Sequence, residues 1–298
     1  MTATQTLEQN RPAPGPQHRL LFDLIGGQAF RAQLRELATW PKPGLVSYVD
    51  TGSHSDMNAA LLRTSAEVLR PYFVELALAG WEGAGMNRLR AIGLRAEAEM
   101  LRATGGVNTH RGAIFGLGLL CAAAAMNVSV SGDGVVFSRV KLGEVVSKRW
   151  GDDIRRGPVL LHSHGSAVLR RYGAGGARAE AVAGFPSIYR IGLPALRLGR
   201  AMAPADACAA PVQACFALIA SVRDTNLLYR GGEEGTVYAA KSAKAFLSAG
   251  GVGAPDWRVR AAAVHAGFVA RGLSPGGSAD LLAMTMFVDA LESEAARQ

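Results

Sequence analysis

A chain of 298 residues that is 49% hydrophobic can bury a large core, as one large domain or two fused lobes. Its net charge of +8 suits polyanionic partners. With aromatics at only 7% and no Lys/Arg run interleaved with them, nucleotides are expected as partners and nucleic acid is not.

Residues 1–17 are polar and proline-bearing, without the apolar core of a secretory signal, and are expected to form a disordered tail ahead of a domain at 18–298. Apolar residues then recur at helical spacing near 19–39, 56–79, 85–104, 111–126, 135–149, 178–201, 205–221, 233–249, 256–271 and 278–294. A short hairpin is expected over Val128–Phe137, through Gly132-Asp133-Gly134. The expected class is all-α, a single multi-helix domain. The apolar run Gly112–Met126 is too short to span a bilayer and carries three glycines, so no membrane association is expected. Cys121, Cys208 and Cys215 lie in apolar stretches without CxxC spacing, the pattern of buried thiols in a reducing cytoplasm.

Between the helices lie polar, glycine-marked connectors: Pro41-Lys42-Pro43-Gly44, Gly52-Ser53-His54-Ser55-Asp56, Thr104–Arg111, Arg223–Gly235 and Ser274–Asp280. Each alone is an ordinary turn and helix cap. Several helix N-termini brought together would instead form a polyphosphate site, because their free N–H groups and dipoles favour anions.

Carboxylates on apolar stripes are the second signal. Glu99 falls seven residues after Ile92, on the stripe Ile92, Ala96, Met100, Ala103, where it is either paired with Arg95 or Arg102 or used as a metal ligand or acid/base group. Asp280 heads the stripe Ala283, Met284, Phe287, Leu291, so its carboxylate is expected to face inward. With Asp56, Asp224 and Glu233 these acids offer the oxygen ligands that Mg²⁺ takes. His162-Ser163-His164 has metal-like spacing but no third ligand at a diagnostic distance. Lys42, displayed between two prolines, suits phosphate contact. The chain has no P-loop, no GxGxxG after a strand, no GxSxG and no HExxH.

Seven segments in order resemble the triphosphoribosyl-dephospho-coenzyme A synthase family: Pro41-Lys42-Pro43-Gly44-Leu45-Val46, Asp56-Met57, Gly106-Val107-Asn108-Thr109-His110-Arg111-Gly112, Gly176-Ala177-Arg178-Ala179-Glu180, Asp224-Thr225-Asn226, Arg230-Gly231-Gly232-Glu233 and Ser274-Pro275-Gly276-Gly277-Ser278-Ala279-Asp280-Leu281-Leu282. The citrate-lyase branch has Asp after the first segment and Lys after Asn-Thr-His. Here Ser47 and Arg111 stand there, which, with Ser163-His164-Gly165, is more similar to the malonate-decarboxylase branch. The missing Asp is dispensable unless Asp50 replaces it.

The resemblance implies a transferase in which the 2′-hydroxyl of 3′-dephospho-CoA attacks C1′ of ATP's ribose and adenine leaves. It implies Asp280, Asp224, Glu99 and His110 as catalytic groups, and Asp56, Glu99, Asp224, Glu233 and Asp280 as metal ligands. Lys42, His54, Asn108, Thr109, Arg111, Arg178, Asn226, Arg230, Gly231, Gly276, Gly277 and Ser278 would hold substrate. Mg²⁺ is expected with ATP, and the downstream partners would be an acyl-carrier subunit and its prosthetic-group transferase. Two other readings fit the same residues: a magnesium-dependent ADP-ribosyl glycohydrolase, in which water replaces the hydroxyl, and a non-catalytic helical partner protein.

Overall fold

The computed structural model describes residues 14–131, 134–158 and 164–295. These residues hold twelve α-helices: α1 Pro16–Ala38, α2 Ala59–Trp81, α3 Met86–Ala103, α4 Arg111–Met126, α5 Leu142–Arg156, α6 His164–Tyr172, α7 Gly176–Val182, α8 Leu193–Met202, α9 Ala209–Ser221, α10 Thr225–Ser248, α11 Trp257–Val269 and α12 Gly276–Ala295. A single antiparallel hairpin, β1 Val128–Ser131 and β2 Gly134–Phe137, follows α4 in the register Val128↔Phe137 to Ser131↔Gly134. The expected helical class and the hairpin are both found, and no described helix is long and apolar enough to cross a membrane. Residues 1–13 of the expected tail lie outside the described residues, and α1 already begins at Pro16.

The architecture is organised around α4. Its residues from Ala113 to Ala125 are buried almost without interruption, the mark of a helix surrounded by protein rather than presenting one apolar face. It packs on α1, α2, α3, α5 and α12. The α2 contact is backbone-close, since a Cβ on Gly80 would sit 2.1 Å from the Ala122 carbonyl oxygen. Helix α12 crosses α4 with Leu281, Met284 and Phe287 buried. The two helices thus carry their N-terminal ends to a common place.

Three sequence expectations are corrected. The stretch 178–201 is not one helix: Gly184 and Phe185 take positive φ, breaking it into α7 and α8 with a π turn at Ile188–Gly192. Helix α6 was not expected. Helix α10 starts at Thr225, not near 233, so Arg230-Gly231-Gly232-Glu233 lies inside it, with the chain kinked at Gly232 (φ 59°, ψ −158°). Asp224 caps this longer helix.

Candidate active site

The N-terminal ends of α4, α10 and α12 converge, and two aspartates join them. Asp224 is 2% exposed and caps α10: its Oδ1 accepts the Asn226 and Leu227 amides at 2.8 and 3.4 Å. Its Oδ2 accepts the amide and hydroxyl of Ser278 on α12, at 2.7 and 2.9 Å. Gly277 lies against the same carboxylate and Gly276 against Asn226, where an added Cβ would approach to 3.1 and 2.9 Å. Burial raises the Asp224 carboxyl above its ordinary range while these four donors oppose the shift. All of its acceptor positions are filled.

Asp280 ties α12 to α4. Its carboxyl accepts the Ala113 amide and presses on Gly112 in the first turn of α4. It faces inward, as its stripe requires. Burial first, then the charges of Glu36 and Asp224, push it well above the usual carboxylate range, so it holds a proton where an ordinary aspartate is ionised.

Beneath these termini stands Lys42, fully buried. Its Nζ donates to the Glu36 carbonyl at 2.6 Å and to the Glu36 carboxylate. The loop that carries it is clamped from the far end of the chain: His265, itself buried, places Nδ1 2.6 Å from the Lys42 carbonyl and Nε2 3.2 Å from Asp50. Ser53 donates to the Leu273 carbonyl at 2.6 Å, and His54 Nε2 meets the Ser274 hydroxyl at 2.8 Å. Asp50 arrives because Ser47 folds the loop back, its Oγ accepting the Val49 amide and its own amide donating to the Asp50 carbonyl.

His110 caps α4 from a buried position. Its Nδ1 lies 2.7 Å from the Ser65 hydroxyl, which also accepts from Thr109. Burial and the Lys42 charge lower its pKa to about 4, so the ring is neutral near pH 7. That removes His110 as a standing proton donor. Burial and Arg230 lower His54 as well, against Asp56.

Of the expected five metal ligands, only Asp224 and Asp280 come together. Glu99 pairs with Arg102 at the edge of α3, because the buried stripe steps from Ala96 to Met100 and leaves Glu99 about 100° away from Met100 around the helix. Glu233 pairs with Arg223 on the surface, and Asp56 is 57% exposed beside His54. Among the described residues no three His, Cys, Asp or Glu side chains could hold a metal ion. Asp224 and Asp280 are thus the two expected ligands that share one place, and Asp224 already accepts from four donors there.

The expected phosphate ligands divide likewise. Arg178 donates to the carbonyls of Ile154, Pro158 and Gly157, capping α5, and is thereby occupied. Gly231 packs on Leu273, where a Cβ would approach to 2.5 Å. Arg230 holds the Ser53 and Gly272 carbonyls but stays exposed. Arg111, half-exposed and paired with Glu97, stands at the α4 terminus, its amide bound by Asn108. The His162-Ser163-His164 spacing lies outside the described residues and side chains. Glu36, His265 and Ser65 carry no signal in the motifs of the sequence, whereas Ser274 opens one of them. Glu36 could have been found, since it follows Gln33 by one turn on the stripe Ile25, Ala29, Ala32.

Residues 23–298 match the family model described as ATP:dephospho-CoA triphosphoribosyl transferase. The chain is 41% identical over 286 residues to a "Probable 2-(5''-triphosphoribosyl)-3'-dephosphocoenzyme-A synthase" of Stutzerimonas stutzeri (strain A1501), covering 94% of each chain. It is 39% identical to the protein of the same description from Azotobacter vinelandii, over 94% of each chain, and 35% identical to that of Acinetobacter calcoaceticus, over 93% of each. No solved structure matches the chain.

Proposed function

Because the chain belongs to the ATP:dephospho-CoA triphosphoribosyl transferase family, we propose that the joined N-termini of α4, α10 and α12 are where it transfers the 5-triphosphoribosyl group of ATP to the 2′-hydroxyl of 3′-dephospho-CoA. The observation that carries this reading is Asp280, a carboxyl pressed on Gly112 at the N-terminal turn of α4 and raised above the usual carboxylate range by burial and by the charge of Glu36, which holds the buried Lys42.

The reaction breaks the bond between ribose C1′ and adenine N9 and forms one from C1′ to the acceptor oxygen. No phosphoryl bond changes, so the triphosphate serves as a handle whose binding orients the anomeric carbon. Asp280 gives its proton to the departing base as the C1′–N9 electron pair leaves with it. The carboxylate so formed faces the oxocarbenium-like carbon and then takes the proton of the attacking hydroxyl, which restores the acid. Adenine leaves neutral, and the enzyme returns to its starting state. Asp224 builds the site by locking α10 to α12, and neutral His110 fixes α4 through Ser65.

The triphosphate is assigned to the Gly276-Gly277 end of α12 with Arg111 and Arg230 at the rim. Mg²⁺ is expected to come as the counter-ion of ATP rather than on protein ligands, supplying charge neutralisation of the phosphates. The product's destination is read as the acyl carrier of malonate decarboxylase, through its prosthetic-group transferase in the cytoplasm, a reading supported by Ser47 and Arg111 in place of Asp and Lys. Incubation with ATP, with and without dephospho-CoA, tests the whole: adenine and the condensed mass should form only when both are present. Adenine release from ATP alone at the same rate would favour hydrolysis instead.

A further inference from the structure

Two side chains on the segment that leads to Lys42 carry buried polar atoms that no described group satisfies. Gln33 on α1 is 2% exposed, and neither its Oε1 nor its Nε2 has a hydrogen-bond partner among the described residues. The indole Nε1 of Trp40 has none either. Buried polar side chains are almost always hydrogen-bonded, because an unsatisfied amide loses its hydration and gains nothing. An apolar residue of similar size would serve packing better, so an amide here implies a polar partner.

The position narrows what that partner is. Gln33 lies one turn before Glu36 on the same face of α1. Glu36 holds Lys42, and its charge reaches Asp280. Trp40 is two residues before Lys42. The unsatisfied amide therefore stands one helical turn from the carboxylate that holds Lys42 and whose charge reaches Asp280. A primary amide sets one acceptor beside one donor at the spacing of the N6 amino group and N7 of adenine, and pairs with that edge through two bonds. Both substrates of the proposed reaction carry adenine.

We propose that Gln33 reads this edge of adenine, with Oε1 accepting from the N6 amino group and Nε2 donating to N7, and so sets the base specificity of the site. The inference rests on the transferase reading above. It makes the base a recognised group as well as a leaving group.

ITP tests it, since its 6-oxo group would meet the Gln33 oxygen with no hydrogen between them. In the wild type, kcat/KM for base release is expected to favour ATP over ITP by about tenfold or more. In Gln33→Leu that preference should fall to near unity while the thermal midpoint stays at or above the wild-type value. Gln33→Met, unbranched and without polar groups, gives the same readout if the leucine variant does not fold. If selectivity is instead lost only between dephospho-CoA and its hypoxanthine analogue, the adenine read is the acceptor's. An unchanged preference for both nucleotides in an active variant overturns the proposal. A wild type that releases no adenine at all would overturn the transferase reading itself.

Discussion

Gly112 and Asp280 meet so closely that a Cβ on Gly112 would lie 2.0 Å from Oδ2 of Asp280. The glycine is required by contact with the acid, as Gly116 and Gly118 further along α4 are by contact with Met284 and Leu76. Gly112→Ala should push the carboxyl off the first turn of α4. A displacement of about 1 Å at a reacting group costs on the order of 10²-fold in rate. Adenine release should drop by about that factor with the circular-dichroism spectrum unchanged, and near-wild-type turnover would remove Asp280 from the reaction.

Asp280→Asn should abolish adenine release and yet stabilise the protein. Above the ordinary aspartate value of 3.8 the native state keeps a proton that the unfolded chain has released, so wild-type stability falls as pH rises from 3.8 through the raised native value. Asparagine removes that dependence. Urea melts at pH 5 and pH 8 should show the variant gaining on the wild type as pH rises, and the wild-type rate should decline as Asp280 ionises. Parallel stability profiles for the two proteins would contradict the buried acid.

His110 acts with the opposite sign. Its pKa is depressed from 6.5 to about 4, so the unfolded chain takes up a proton first as pH falls. The stability it contributes is present above 6.5 and lost between 6.5 and about 4, by on the order of 3 kcal/mol. His110→Gln should flatten the acid limb of the stability curve over that window, as read by denaturant melts at several pH values.

Lys42→Met should destabilise strongly, because it strands the Glu36 carboxylate near Asp280 without its partner. Breaking a buried pair from one side costs about 3–5 kcal/mol. Adding Glu36→Gln should restore much of this stability without restoring activity. Denaturant melts of the single and double variants form the cycle that checks it, and additive losses would argue that the two side chains are independent.

The helical class, the hairpin and the inward acid of α12 could be read from the residues, because each rests on a local period or a local turn. Asp280 heads a stripe that stays apolar to Leu291, and the structure keeps that face buried. Glu99 misled for the same reason: one i to i+4 step in the stripe of α3 is enough to turn a side chain to the edge. The start of α10 was misplaced because Arg230-Gly231-Gly232 has the composition of a loop, while the cap at Asp224 and contact with Leu273 hold it in a helix. His265 is joined to the site by a contact that spans the fold, to the Lys42 carbonyl, and no periodicity records such a contact.

The clamp on Lys42 also bears on how the protein is made. Residues 42–54 find their partners at 265–274, across 220 residues or more for the His265, Leu273 and Ser274 contacts. Long-range closures of this kind come late, since the chain between must first be ordered. During synthesis from the N-terminus, helices α1 to α9 can pack while the Lys42 loop still lacks its clamp and Asp280 is not yet built. On the proposed site, a nascent chain halted before residue 274 would be helical but would lack both the clamp and Asp280.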